Sequence, residues 1–306
     1  MRRKVVKHGS ATLTISLPAK WVQRNNIKSW DELEIFDKHN SLTILSESAM
    51  PSEKKVIDLT GMPKRMIDCA VTSSYTKGYD ELELIHGETG ITETLNKLSY
   101  ALLGYEVFYC SEKRCLIKSI SSAQPTEFES IMRKNFHVIM MLANESLELI
   151  KKKKYSKLND IVMLEKTNNK FTNYLLRVIS VKGFKSRQHD FFLHTMIRLL
   201  ERVADSYRDI CQYLAAQEPG AIRISSETLG IYEAINRMMD RYSATYFSNS
   251  IAEASIIATT LAELQDKIRQ MRKSPKNIHE MAVVNCLAGL VHELDTLLYE
   301  LAGYLI

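Results

Sequence analysis

The sequence predicts a multidomain, mainly α-helical protein: a small β-rich head, an α/β middle domain and a C-terminal tandem pair of three-helix bundles. Glycine and proline are scarce, 11 and 6 in 306 residues, and few breakers favour long uninterrupted helices. From Glu127 to Ile306 nearly every segment carries helical hydrophobic period. The stretch before it instead shows short alternating runs set off by turn residues. A hydrophobic content of 45% with 25% charged residues is ordinary globular composition, which excludes a disordered, collagen-like or disulfide-scaffold chain.

Pro51, Pro125 and Pro219 each fall in a polar stretch and propose the domain limits. The head is 1–50, the middle domain 53–122 and the helical domain 125–306, divided into 125–218 and 221–306.

In the head, Arg3 to Lys7 and Thr12 to Ser16 alternate around Gly9-Ser10, a first hairpin. Leu33-Glu-Ile-Phe and Leu42-Thr-Ile-Leu flank Lys38-His-Asn-Ser, a second. Between them, Ser16-Leu-Pro-Ala-Lys-Trp-Val-Gln-Arg starts a small helix with Pro18 in its first turn, where a missing N–H costs nothing. So few apolar side chains cannot bury much surface alone. An intertwined dimer would supply the missing core.

The middle domain alternates strand and helix. Val56-Ile-Asp-Leu and Leu82-Glu-Leu-Ile read as strands, Lys64 to Tyr75 and Ile91 to Leu103 as helices, and Glu106 to Cys110 with Arg114 to Lys118 as a closing hairpin. Gly87-Glu-Thr-Gly90 lies between a strand and a helix, where a phosphate could sit. It lacks both the Walker and the dinucleotide pattern and reads as a plain turn.

The helical domain reads as six helices at about 126–153, 157–181, 187–216, 225–247, 251–272 and 277–304. Leu193, Met196, Ile197, Leu200, Val203, Ala204, Tyr207 and Ile210 form one sustained apolar stripe. Cys211-Gln-Tyr-Leu214 echoes Ala302-Gly-Tyr-Leu305, as if one three-helix unit were written twice. Met140-Met141, Met196 and Met238-Met239 are core filler. Lys151 to Lys154 ends a helix, where cations suit the dipole.

The chain's 41 Lys and Arg against 36 Asp and Glu give only +5, but the placement is uneven. Arg2, Arg3, Lys4, Lys7, Lys20, Arg24 and Lys28 precede the first acidic residue, Asp31. Such a patch either meets nucleic-acid phosphates or is a solvated charged face. The five cysteines, Cys69, Cys110, Cys115, Cys211 and Cys286, show no metal-type spacing and read as reduced thiols. No run of about 18 apolar residues occurs, so no membrane insertion is expected. The expected compartment is the cytoplasm.

Residues 3–46, above all Ile15-Ser-Leu-Pro-Ala-Lys-Trp21 with Asn26-Ile27, Asp31-Glu-Leu-Glu-Ile35 and Leu42-Thr-Ile44, resemble the AbrB/SpoVT-like swapped-hairpin DNA-binding domain. The resemblance implies an interlocked homodimer whose cations lie on double-stranded DNA, here Arg3, Lys4, Lys7, Lys20 and Arg24. The family's usual Gly-Asp pair before the third strand is replaced by Trp30-Asp31. That turn forms without its glycine.

Glu201, Asp205 and Asp209 stand at i, i+4 and i+8 on one helix face. They could hold a cation, or pair with Arg198, Arg202 and Arg208, three residues away from Glu201 or Asp205. Arg198-Leu-Leu-Glu-Arg-Val-Ala-Asp-Ser-Tyr-Arg-Asp-Ile resembles the signature of the PhoU family of phosphate-uptake regulators. The resemblance implies tandem three-helix bundles over 125–306 and a divalent metal or an iron or zinc cluster on Glu201 and Asp205, with Asp209 at a position often polar. The motif is degraded in the second bundle, where His292 and Thr296 stand opposite. Glu165 is followed at i+4 by Asn169 instead of a carboxylate. His189 and His194 are five apart and off-face for a metal pair.

No paired acid and base, activated cysteine or Ser/His/Asp set is recognisable, so no enzyme is expected. Together the three parts resemble the archaeal-type phosphate-uptake regulator that carries its own DNA-binding domain. The expected function is a homodimeric transcriptional regulator of phosphate uptake. The alternative is a signalling adaptor that docks on a phosphate transporter or sensor kinase. A carboxylate-metal enzyme of the helical-bundle type is a third class.

Overall fold

A computed structural model describes residues 2–9, 12–38, 41–46, 54–87, 91–121, 123–273 and 277–306. The protein is mainly helical with a few strands and divides into two compact units, Met1–Lys55 and Val56–Ile306.

In the first unit, β1 (Val6–His8) pairs antiparallel with β2 (Thr12–Thr14), and β3 (Leu33–Lys38) with β4 (Ser41–Ser46). The tips at Ser10 and at His39-Asn40 lie outside the described residues. Between the hairpins runs α1 (Ala19–Arg24); Pro18 stands one place earlier than expected, at the N-cap. Among the described residues of this unit no apolar side chain is buried, and the buried core begins at Leu59.

The second unit opens with the α/β layer. The sheet β5 (Lys54–Asp58), β6 (Glu81–Ile85), β7 (Tyr105–Cys110) and β8 (Arg114–Ser119) has the order β5-β6-β8-β7, with β8 antiparallel to both neighbours. Alternate residues Leu82 and Leu84 of β6 and Cys115 and Ile117 of β8 are buried. They share a core with Ile67, Val71 and Tyr75 of α2 (Lys64–Lys77) and Ile91 and Leu95 of α3 (Ile91–Tyr100). This is the period-two pattern of a sheet covered on one face. Residues 88–90 of the Gly87–Gly90 turn lie outside the described residues.

The helices begin and end close to their expected positions: α4 (Phe128–Lys151), α5 (Leu158–Ile161), α6 (Met163–Val181), α7 (Arg187–Ala215), α8 (Ser226–Ser248), α9 (Ile251–Lys273) and α10 (Ile278–Leu305). The second expected helix is broken at Val162 into α5 and α6. Ser186, Ser225 and Asn277 cap α7, α8 and α10, each accepting from the backbone N–H three residues on, as short oxygen side chains do.

Helices α4, α6 and α7 pack on one another, as do α8, α9 and α10, and the two triplets share one continuous core. The most extensive pairing of elements is α7 with α10. It is antiparallel: His189 at the start of α7 meets Tyr304 at the end of α10, and Tyr213 near the end of α7 meets His279. α4 and α8 also run antiparallel, through Asn236 Nδ2 to the Ala143 carbonyl and the Ser146–Tyr232 hydroxyl pair. The same helix of each triplet thus meets its counterpart, the relation expected of a duplicated unit. Met196, Met238 and Met239 are buried, and Met140 packs against the core.

By length and composition alone α10 is apolar enough to cross a membrane, although polar residues such as His292, Glu293 and Asp295 interrupt its apolar run. Its apolarity has a local cause. α7, α8 and α9 all pack against it, and Val283, Val284, Leu287, Leu290, Val291, Leu294, Leu297 and Leu301 are buried in the core.

Candidate functional site

The five cations of the head are all exposed: Arg3 and Lys4 lead into β1, Lys7 is within it, and Lys20 and Arg24 are on α1. Val6, Leu13, Ile15, Ile35 and Leu42 share this surface in being more than half exposed. Lys7 and Leu13 are direct partners across β1 and β2. A cation and an apolar side chain therefore stand side by side on one face of the β1–β2 hairpin.

The turn that lacks its glycine is held by Asp31, whose carboxylate accepts from the Lys28 N–H at 2.7 Å while its own N–H donates to the Lys28 carbonyl at 3.2 Å. Trp30 takes the glycine's left-handed conformation, φ 77°. Its side chain is fully exposed.

On α7 the carboxylates meet arginines. Glu201 accepts from Arg198 at 2.9 Å. Arg208 gathers three others: it donates to Asp205, to Asp209 at 2.9 Å and across to Glu165 of α6 at 3.1 Å. Asn169 donates to the same Glu165 oxygen at 2.6 Å. Burial raises the Asp205 carboxyl above its ordinary pKa; Arg208 opposes this and Glu165 adds to it. Asp205 and Asp209 are thus brought together around a guanidinium, and Glu201 stands in a separate pair. This arrangement fits ion pairing better than a metal held by Glu201, Asp205 and Asp209. At the echoed positions in the second triplet, His292 lines a groove between α9 and α10 with Arg269, Arg272 and Lys273, and Thr296 donates to the His292 carbonyl at 3.0 Å.

Sequence reasoning missed two clusters. Arg177 of α6, 3% exposed, donates to the carbonyls of Tyr75 at 2.7 Å and Tyr79 at 3.0 Å and to the Asp80 carboxylate at 2.7 Å. Its guanidinium also lies over the Tyr75 and Tyr105 rings, at 4.9 and 5.4 Å. Burial pushes the Tyr105 phenol up to about 12, against the opposing charge of Arg177.

The second cluster corrects the expectation of five reduced thiols. Cys110 and Cys115 are partners in the β7–β8 register, with Cα atoms 4.1 Å apart and sulfurs at bonding distance. His86 Nε2 lies 3.5 Å from the Cys115 sulfur. Among the described residues, His86, Cys110 and Cys115 are the only His, Cys, Asp or Glu donors that converge as a group of three within 4.8 Å. The hairpin itself was legible, and its register alone puts the two cysteines opposite each other. Cys69, Cys211 and Cys286 are free. Compared with family models, curated proteins and solved structures, the chain matches none of them.

Proposed function

We propose that this chain is a cytoplasmic, homodimeric DNA-binding regulator of phosphate uptake. Two heads interlock as swapped hairpins and lay Arg3, Lys4, Lys7, Lys20 and Arg24 on a two-fold related DNA site. The single observation that carries this reading is the head's composition of surface: these five cations are exposed, beside apolar side chains of which none among the described residues is buried. A unit that buries none of its described apolar residues is incomplete as a single copy. A second copy completes it and doubles the cationic surface, and dimer symmetry then sets the half-site spacing.

In this reading the helical unit is a PhoU-like pair of three-helix bundles that senses phosphate status through a partner such as a transporter or sensor-kinase component. The motif around Glu201 and Asp205 supports the family reading. The ion pairs of Arg198 and Arg208 give those carboxylates a role without a metal.

Titrating the affinity of the full-length protein for duplex DNA against salt tests the proposal. A dimer making about 6–10 phosphate contacts loses about 10³–10⁵ in affinity between about 50 and 200 mM salt. Feeble binding with a shallow slope would favour the adaptor, in which the head only dimerises. Metal analysis of the purified protein and of Glu201→Ala with Asp205→Ala addresses the cofactor separately. Stoichiometric metal lost in the double variant would restore the carboxylate site.

A further inference from the structure

We propose that Cys110 and Cys115 form a reversible dithiol–disulfide couple, oxidised by a hydroperoxide, in which His86 accepts the proton of Cys115. This inference is independent of the DNA-binding reading. The β7–β8 hairpin presets the pair: Ser111 N–H donates to the Arg114 carbonyl at 2.7 Å, and the Ser111 hydroxyl accepts from the Arg114 N–H at 3.1 Å. The turn thereby holds the flanking cysteines opposite each other. The entropy of bringing the sulfurs together is met by the fold, so bridging needs only local chemistry.

The two sulfurs have different surroundings. Cys110 is partly accessible and accepts from Thr92 Oγ1 at 3.5 Å, in the first turn of α3, where a helix N-terminus favours a thiolate. Cys115 is 1% exposed and faces His86, itself 4% exposed. The His86 ring has one side-chain partner among the described residues, the Cys115 sulfur; its Nδ1 is buried without a protein hydrogen-bond partner. A buried imidazole with an orphaned nitrogen carries a cost, and a proton-accepting role toward the adjacent thiol gives it a purpose. Cys211, by contrast, is buried and its thiol is pushed up to about 12 by burial.

The accessible Cys110 thiolate attacks one oxygen of the hydroperoxide. The O–O bond breaks, a sulfenic acid forms, and the departing alkoxide or hydroxide takes a proton from water. Cys115 then gives its proton to His86 Nε2 and its sulfur attacks the Cys110 sulfur. The S–S bond forms as hydroxide leaves, carrying away the proton held by His86 as water. Two thiols are oxidised by two electrons and one hydroperoxide is reduced. A dithiol reductant reverses the bridge by exchange.

The test uses the full-length protein, reduced, desalted without oxygen and treated with hydrogen peroxide. Trypsin cuts after Lys113 and Arg114, between the cysteines, so the bridge is read as two peptides joined by a disulfide. Quantitative linkage that dithiothreitol reverses is expected. Cys115→Ser halts at a sulfenic acid on Cys110 that dimedone traps, and His86→Gln, folded by circular dichroism, slows linkage about tenfold or more while the dimedone adduct accumulates. The proposal is overturned if the two cysteines are alkylated without any linked peptide, or if His86→Gln links as fast as the parent. It is equally overturned if the reduced protein retains one zinc ion that shields both thiols from peroxide, which would make the trio a metal site.

Discussion

Arg177 donates from Nη2 to the Asp80 carboxylate at 2.7 Å, and its other nitrogen closes the carbonyls of Tyr75 and Tyr79 at the end of α2. One buried guanidinium therefore ties α6 of the helical part to the α/β layer. Gly78, at φ 99° between these carbonyls, lets Val181 of α6 approach: a Cβ there would lie 2.5 Å from Val181 Cγ2.

Arg177→Ala is expected to destabilise the second unit by about 3 kcal/mol. Most of that comes from the two hydrogen bonds from a charged donor lost at the Tyr75 and Tyr79 carbonyls, which keep the Gly78 N–H and the Tyr105 hydroxyl as their other donors; the Asp80 side chain is 37% exposed and water takes up much of its charge. Arg177→Lys should recover only part, since an ammonium cannot reproduce the planar fork over two rings. Urea unfolding of the full-length protein measures both. A loss below about 0.5 kcal/mol, the range of ordinary surface substitutions, would remove Arg177 as the tie between the layers.

How much of this was legible follows the range of the interactions involved. The six long helices were readable because their apolar period is local, as were the hairpins. Arg177 was not: its partners lie 97 to 102 residues away, and nothing in its own helix marks it. At the carboxylate row, Arg198 and Arg208 were legible as partners three residues away, whereas Glu165 joining Arg208 from α6 and Arg202 pairing instead with Glu293 of α10 were not. Cys110 and Cys115 fall between these cases. Their separation is short, but it signals a bridge only once the hairpin register is drawn.

Trp30→Gly is expected to raise the stability of the head by about 0.5–1 kcal/mol. The left-handed conformation costs an L-residue roughly 1–2 kcal/mol, and glycine's added freedom in the unfolded chain returns about 0.5–1 of it. The fully exposed indole has no packing to lose within its own protomer. Thermal melting followed by far-ultraviolet circular dichroism reports the change. A lowered midpoint would show that the indole is buried in the assembled protein.

Asp205 gives a pH dependence with a defined sign. Its folded pKa lies above the ordinary 3.8, so between the two values the folded state holds more protons than the unfolded one. Stability from this group is present at acid pH and is lost as pH rises from 3.8 through the raised value. Asp205→Asn removes that slope while keeping an oxygen for Arg208, and should be at least as stable as the parent at neutral pH. Melting temperatures of both proteins across this range decide it. A variant that loses stability at neutral pH would mean that the Arg208 pair outweighs burial.

Leu13 is 69% exposed and stands across β1 and β2 from the cationic Lys7. If a second copy covers it, Leu13→Glu removes about 2 kcal/mol of burial per protomer. An isologous interface loses it twice, about 4 kcal/mol in all, which is about a thousandfold in the dimer dissociation constant. Sedimentation equilibrium should then find the variant largely monomeric, with the helical unit's circular dichroism intact. Duplex affinity should fall with it, since a single head makes half the phosphate contacts and carries half the salt slope. A variant that remains dimeric with its DNA affinity unchanged would show that the hairpin surface is not the dimer contact.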